Sequence, residues 1–74
     1  MNVYKIRDHE TLYAGGMGLV AANSKEEAIV TFMENTEYPE HKFNKSSDYT
    51  AILITNVYCD TKVPYLITED WYYE

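Results

Sequence analysis

Few residues in this sequence have types and spacings that do chemistry. Each of the two histidines has a glutamate neighbour, as His9-Glu10 and Glu40-His41. An imidazole beside a carboxylate is the beginning of an acid–base pair, but the chemistry also needs a cleft, a second partner and a tuned pKa. Both pairs fall in polar stretches that read as loops, so solvated loop histidines are expected. Cys59 is followed by Asp60. A neighbouring carboxylate raises a thiol pKa and opposes thiolate formation, so Cys59 reads as a structural thiol at a turn. Gly15-Gly16-Met17-Gly18 has the glycine density of a phosphate loop. Such loops lie between a strand and a helix N-terminus, where amides and dipole face the phosphate. Here the glycines precede a short apolar run, and no Gly-Lys-Ser or Gly-Lys-Thr follows, so a turn or bulge is expected instead. One cysteine and two histidines do not close a four-ligand zinc site, and there is no Asp-x-Asp-x-Asp-Gly calcium loop. These residues point to no catalytic set, no metal and no cofactor, and hence to a protein that is not an enzyme.

What remains is charge and aromatic surface. Twelve acidic and six basic residues give a net charge of −6, and the pI is about 4.7. The cations Lys5, Arg7, Lys25, Lys42, Lys45 and Lys62 form no stripe, which argues against direct binding to nucleic acid through phosphates. Glu26, Glu27, Glu34, Glu37 and Glu40 cluster in one stretch. They read either as a solvated helix face or as an acidic surface that imitates a phosphate backbone at a basic protein site. Eight tyrosines in 74 residues is a heavy dose, and the C-terminus reads Glu69-Asp70-Trp71-Tyr72-Tyr73-Glu74. Tyr and Trp join a large apolar body to a polar handle and are enriched at interface hot spots. Trp71 fits equally as a lid on a small core. Tyr38, Phe43, Trp71, Tyr72 and Tyr73 are the candidate partner-binding residues.

Composition sets the class. A chain of 74 residues that is 46% hydrophobic and 15% aromatic is too apolar for an acidic disordered tail and amounts to one domain, 1–74. A single cysteine excludes an intrachain disulfide. The N-terminal Met-Asn-Val-Tyr-Lys-Ile-Arg-Asp has no signal-peptide core, and no apolar run approaches the roughly 20 residues of a membrane span. A cytoplasmic protein without membrane contact is expected.

The elements follow from periodicity. Val3 to Ile6 alternates, with Tyr4 and Ile6 on one face and Val3, Lys5 and Arg7 on the other, which predicts a half-buried strand. Asp8 to Thr11 reads as a connection, with pairing resumed by Leu12, Tyr13 and Ala14. Met17 to Ala22 predicts a buried strand that forms an antiparallel hairpin with the first. Ser24 followed by Glu27 is a capping box, and Ala28, Ile29, Phe32 and Met33 recur at helical spacing. Val30 falls off that stripe. The helix should end near Thr36 or Glu37, because Pro39 disfavours helical geometry at Tyr38. Tyr38 to Asp48 reads as a surface loop, with a turn of helix after Pro39 and Phe43 as its anchor. Tyr49 to Tyr58 has apolar residues on both faces, which predicts a central strand. Asp60-Thr61-Lys62 reads as a turn. Val63 to Thr68 predicts a fourth strand, which Pro64 confines to an edge, and Glu69-Asp70 should end it. Strand, strand, helix, strand, strand makes a small α+β domain, one helix packed on one face of an antiparallel sheet.

The stretch Gly16-Met17-Gly18-Leu19-Val20-Ala21-Ala22-Asn23-Ser24-Lys25-Glu26-Glu27-Ala28 resembles small uncharacterised proteins of gut bacteria and their phages or mobile elements. These share a Gly-Gly turn, a Val-Ala-Ala strand and an Asn-Ser-x-Glu-Glu-Ala helix start. The resemblance implies a context of small accessory proteins, often inhibitors or adaptors, and carries no activity and no site residue with it. Three functional expectations follow. The first is a non-enzymatic protein-interaction module that binds a protein partner of unknown identity through its aromatics. The second is an acidic phage-type inhibitor that mimics nucleic acid at a basic protein site. The third is a structural homodimer.

Overall fold

The computed structural model describes residues 1–8 and 15–72. Four strands and one main helix run in the order β1 (Asn2–Asp8), β2 (Gly15–Ala22), α1 (Lys25–Asn35), β3 (Tyr49–Tyr58), β4 (Tyr65–Tyr72). A short α2 (Pro39–Phe43) and a 3-10 turn (Ser46–Asp48) lie between α1 and β3. The fold is α+β, as the order of elements predicts. The strands form one antiparallel sheet in the order β3-β1-β2-β4. The expected hairpin pairs Asn2 with Ala22 through to Ile6 with Gly18. Two expected features, the connection through His9, Glu10 and Thr11 and the renewed pairing of Leu12 to Ala14, lie outside the described residues.

The helix begins where local chemistry says it must. Ser24 Oγ accepts from the Glu27 N–H at 3.1 Å, and Glu27 Oε1 accepts from the Asn23 N–H at 2.8 Å. The carboxylate therefore reaches one residue further back than an ideal capping box, and both donors are satisfied. Glu26 and Glu27 sit at the positive end of the dipole. Thr36 caps the C-terminus, with its N–H bonded to Phe32 O. Ala28 and Phe32 are buried, Ile29 and Met33 flank them, and Val30 is exposed.

Paired residues of a ladder share a face, so the registers sort the sheet into two sides. Tyr4, Ile6, Val20, Ala22, Ala51 and Trp71 face α1 and form the core with Phe32 and Tyr49. Val3, Lys5, Arg7, Met17, Leu19, Ala21, Ile52, Ile54 and Tyr65 belong to the opposite side. No described element covers that side.

Three expectations are corrected. Tyr49–Tyr58 is an edge strand, not a central one; its apolar residues on both faces are not matched by a neighbour on both sides. The glycine segment is strand rather than turn. Glu69-Asp70 does not end β4, which runs on to Tyr72, because the Glu69 carboxylate has partners on α1 and on Trp71. β4 is the other edge, with Pro64 just before it as the missing donor requires.

Gly18 is where the helix closes on the sheet. A Cβ built there would stand 2.9 Å and 3.0 Å from two carbons of the Phe32 ring. Phe32 is fully buried, so its ring has nowhere to retreat. Gly18→Ala should therefore destabilise the fold by about 1–2 kcal/mol, since overpacking at about 1–3 kcal/mol outweighs the backbone entropy gained. In a double-mutant cycle read by urea denaturation, Phe32→Leu should cancel much of the Gly18→Ala cost. Additive effects would place the clash elsewhere.

Candidate functional site

The most concentrated polar chemistry lies under α2. His41, expected as a solvated loop histidine, is fully buried and is the true anchor of the 38–48 segment. Phe43, expected in that role, points outward and is 87% exposed. Helix geometry explains the exchange: Pro39 starts a short helix, and residues two apart on a helix face different ways. The imidazole lies 4.6 Å from the Trp71 ring and 5.2 Å from the Phe32 ring, centroid to centroid.

Hydrogen bonds fix the state of this cluster. The Tyr49 hydroxyl donates to His41 O at 3.2 Å and accepts from Asn44 Nδ2 at 2.9 Å. The same hydroxyl lies 2.8 Å from His41 Nδ1, a bond that either group can donate according to the tautomer of the ring. Asp8 Oδ2 lies 3.7 Å from the same nitrogen. Burial lowers the His41 pKa although Asp8, Glu69 and Glu40 pull it upward. Burial likewise pushes the Tyr49 phenol up to about 12, against the bond from Asn44. The cluster holds a neutral imidazole and a neutral phenol, shut away from solvent. It can position α2 against the sheet, but it offers no open path to a substrate.

A second cluster joins α1 to β4. Glu69 Oε1 accepts from the Thr36 hydroxyl at 2.6 Å and from Trp71 Nε1 at 2.9 Å, and Oε2 accepts from the Glu37 N–H at 2.9 Å. One carboxylate thereby ties the helix end to the last strand. Beside it a groove of about 480 Å³ runs along β4, lined by Asn35, Glu37, Leu66, Thr68 and Glu69 among others.

Of the expected partner-binding residues, Tyr38, Phe43 and Trp71 are described and differ in exposure. Trp71 is buried as a core lid, held by Glu69 and tilted against the His41 and Phe32 rings. Tyr38 is half-buried against the same core, and Phe43 is exposed on α2. The side chain of Tyr72 and all of Tyr73 lie outside the described residues. Of the acidic set, Glu26, Glu34, Glu37 and Glu40 are exposed, while Glu27 uses an oxygen for capping. The exposed apolar residues that sequence reasoning missed are Met17, Ile52, Leu53, Val57, Tyr58, Val63 and Tyr65. The doubly apolar pattern of 49–58 is the signal for Ile52, Leu53, Val57 and Tyr58, and by itself it reads as burial on both faces.

Among the described residues no three His, Cys, Asp or Glu side chains converge as a metal site, and no helix is long and apolar enough to cross a membrane. Comparison with protein-family models, with curated proteins and with solved structures finds no match.

The two clusters generate two predictions. Burial disfavours the charged form of His41 in the folded chain, while in the unfolded chain the imidazole takes up a proton near its ordinary pKa of about 6.5. The folded state therefore binds fewer protons below that value, and stability present above about pH 6.5 should fall as acid is added. Urea midpoints at neutral and mildly acidic pH should show this loss, and His41→Gln should flatten it over the same window. Glu69→Ala removes a charged acceptor from three donors and should cost about 2–3 kcal/mol, with a change in Trp71 fluorescence. An unaltered midpoint would refute the clasp.

Proposed function

We propose that this chain is a non-enzymatic protein-interaction module that presents the uncovered face of its sheet to a protein partner. The observation that carries this reading is the exposed apolar side chains of Met17, Ile52 and Tyr65 on the side opposite α1. Lys5 and Arg7 share that side. The bare face of an acidic chain thus combines apolar contact area with two of its six cations and with one acid, Asp70 beside Met17. Contiguous exposed apolar surface bordered by polar groups is characteristic of interaction sites. A partner with an apolar, acidic segment complements it. The reading places the module in a reducing compartment, the cytoplasm, because its one thiol builds no disulfide. The aromatic contribution moves from the C-terminus to Tyr65, with Phe43 on the helix side.

The acidic-inhibitor reading is supported by the exposure of Glu26, Glu34, Glu37 and Glu40. Salt separates the two, because a complex held by those carboxylates weakens steeply as ionic strength rises.

The test is affinity capture from native lysate at low and moderate salt, with the wild-type chain beside a Met17→Lys, Tyr65→Ser variant. Both substitutions lie on the open side, so circular dichroism and Trp71 emission should not change. A stoichiometric partner retained at moderate salt by the wild type and lost by the variant is the expected result. Equal capture by both chains would sink the open face as the binding surface.

A further inference from the structure

The groove of about 480 Å³ beside Glu69 has two walls, Asn35 with Glu37 at the end of α1, and residues 64–69. Successive residues of a strand point to opposite faces, so a hollow that touches all of 64–69 follows the edge of β4 and not one of its faces. At about 3.4 Å per residue that wall is roughly 20 Å long. Among the described residues no strand lies outside β4. The edge is irregular there, with Pro64 before it and a bulge where β4 passes from Leu19 to Val20.

The charged groups of the groove are two carboxylates, Glu37 and Glu69, and no cation lines it. The donors that hold Glu69 are the Thr36 hydroxyl, the Trp71 indole N–H and the Glu37 N–H, all of them neutral. They fix the carboxylate in place and leave its charge unbalanced. A carboxylate accepts at about four lone-pair positions. Oε1 uses two of them and Oε2 one, so a position on Oε2 remains. Among the described residues no Lys or Arg stands within ion-pair distance of Glu37 or Glu69. The helix adds to the same field. Its C-terminal end is the negative pole, where basic side chains are favoured, yet the last turn of α1 holds none and carries Glu34. The first turn obeys the dipole, with Glu26 and Glu27. Acids placed by the rule at one end of a helix and against it at the other mark the second end as a place for a cation from outside the chain.

We infer that this groove receives an arginine side chain carried on an extended segment of a partner protein. The guanidinium meets the Glu37 carboxylate and the remaining position on Glu69 Oε2. Its methylene stem lies against Leu66, and the segment follows the edge of β4. The volume falls within the range of about 300–1,000 Å³ in which pockets hold small ligands, which suits a short stretch of chain. Arginine fits better than lysine, because part of the wall is apolar, at Leu66 and Ile67, and a guanidinium is more weakly hydrated than an ammonium. The acids also select against the wrong occupant, since an acidic segment, a second copy of this chain included, is repelled there. The inference goes beyond the open-face reading: it uses another surface and calls for a partner segment of the opposite charge.

The experiment is a titration of the full chain, at low salt, with a short end-blocked peptide of one arginine flanked by alanines. Amide chemical shifts follow it, together with the emission of Trp71, the chain's one tryptophan, whose Nε1 bonds to Glu69. The expected result is a saturable change confined to residues 35–37 and 65–69 and to the indole. The same peptide with citrulline keeps the shape and lacks the charge, and should bind about tenfold more weakly or worse. Glu37→Gln should weaken the arginine peptide by a similar factor. Glu37 joins the clasp through its backbone N–H, so this variant should keep the wild-type urea midpoint. Should it fail to fold, the citrulline comparison decides, because it needs no variant. Met17→Lys on the open face should leave the binding unchanged, which separates the groove from that face. The absence of any shift at residues 35–37 and 65–69 overturns the inference, and so does equal binding of the citrulline peptide. Shifts centred on Lys5 and Arg7 overturn it too, as does free arginine bound as tightly as the peptide.

Discussion

A phenyl ring over a missing side chain holds this fold together. Phe32 lies against Gly18 on β2, and its ring meets His41 of α2, Tyr49 of β3 and Trp71 of β4 at centroid distances of 5.2, 5.3 and 5.7 Å. One side chain thus contacts four other elements. The tilted and edge-on ring geometries are those aromatic pairs prefer. They also require the imidazole to stay neutral, because a buried charge among rings would be costly to desolvate. The polar partners of His41 and Trp71 follow from that demand. Tyr49 and Asn44 satisfy one, Glu69 the other.

This wedge also explains where the surfaces are. It draws α2 and the end of β4 to the same side of the sheet as α1. The aromatic residues expected at a C-terminal interface are partly consumed there, with Trp71 as lid and Tyr38 beside it. Among the described residues one main helix packs on the sheet, and no further element lies on the opposite side. Small domains bury a smaller fraction of their surface than large ones, and here the shortfall is concentrated on one sheet face and one edge. Val3 and Ala21 are nevertheless buried on that face.

What was legible in the sequence was local. Ser24 and Glu27 announce the helix start because the cap is made within four residues. The faces of β1 follow from its alternation of Tyr4 and Ile6 with Lys5 and Arg7. What was not legible depends on contacts distant in sequence. A histidine between Glu40 and Lys42 looks solvated until Tyr49 and Trp71 close over it. Glu69 looks like a strand breaker until Thr36, thirty-three positions earlier, donates to it. Periodicity reports which faces of a strand are apolar and is silent about which of its edges are paired. For that reason 49–58 reads as central and lies at the margin.

The mismatch at β3 differs in kind from the one at His41. His41 sits in an environment that suits it, and only its neighbours were unforeseen. β3 is placed where its own composition does not suit a lone chain in water. This sheet edge exposes Ile52 and Leu53. The opposite edge of the same sheet is guarded by a proline, a bulge and two acids. Guarding of that kind is the ordinary state of edges in chains that remain separate. Among the described residues the acids lie on α1, on and just before α2, on β4 and at Asp8, Asp48 and Asp60, while all ten residues of β3 itself are uncharged. The two edges thus differ in charge, with Glu69 and Asp70 on β4 and none on β3.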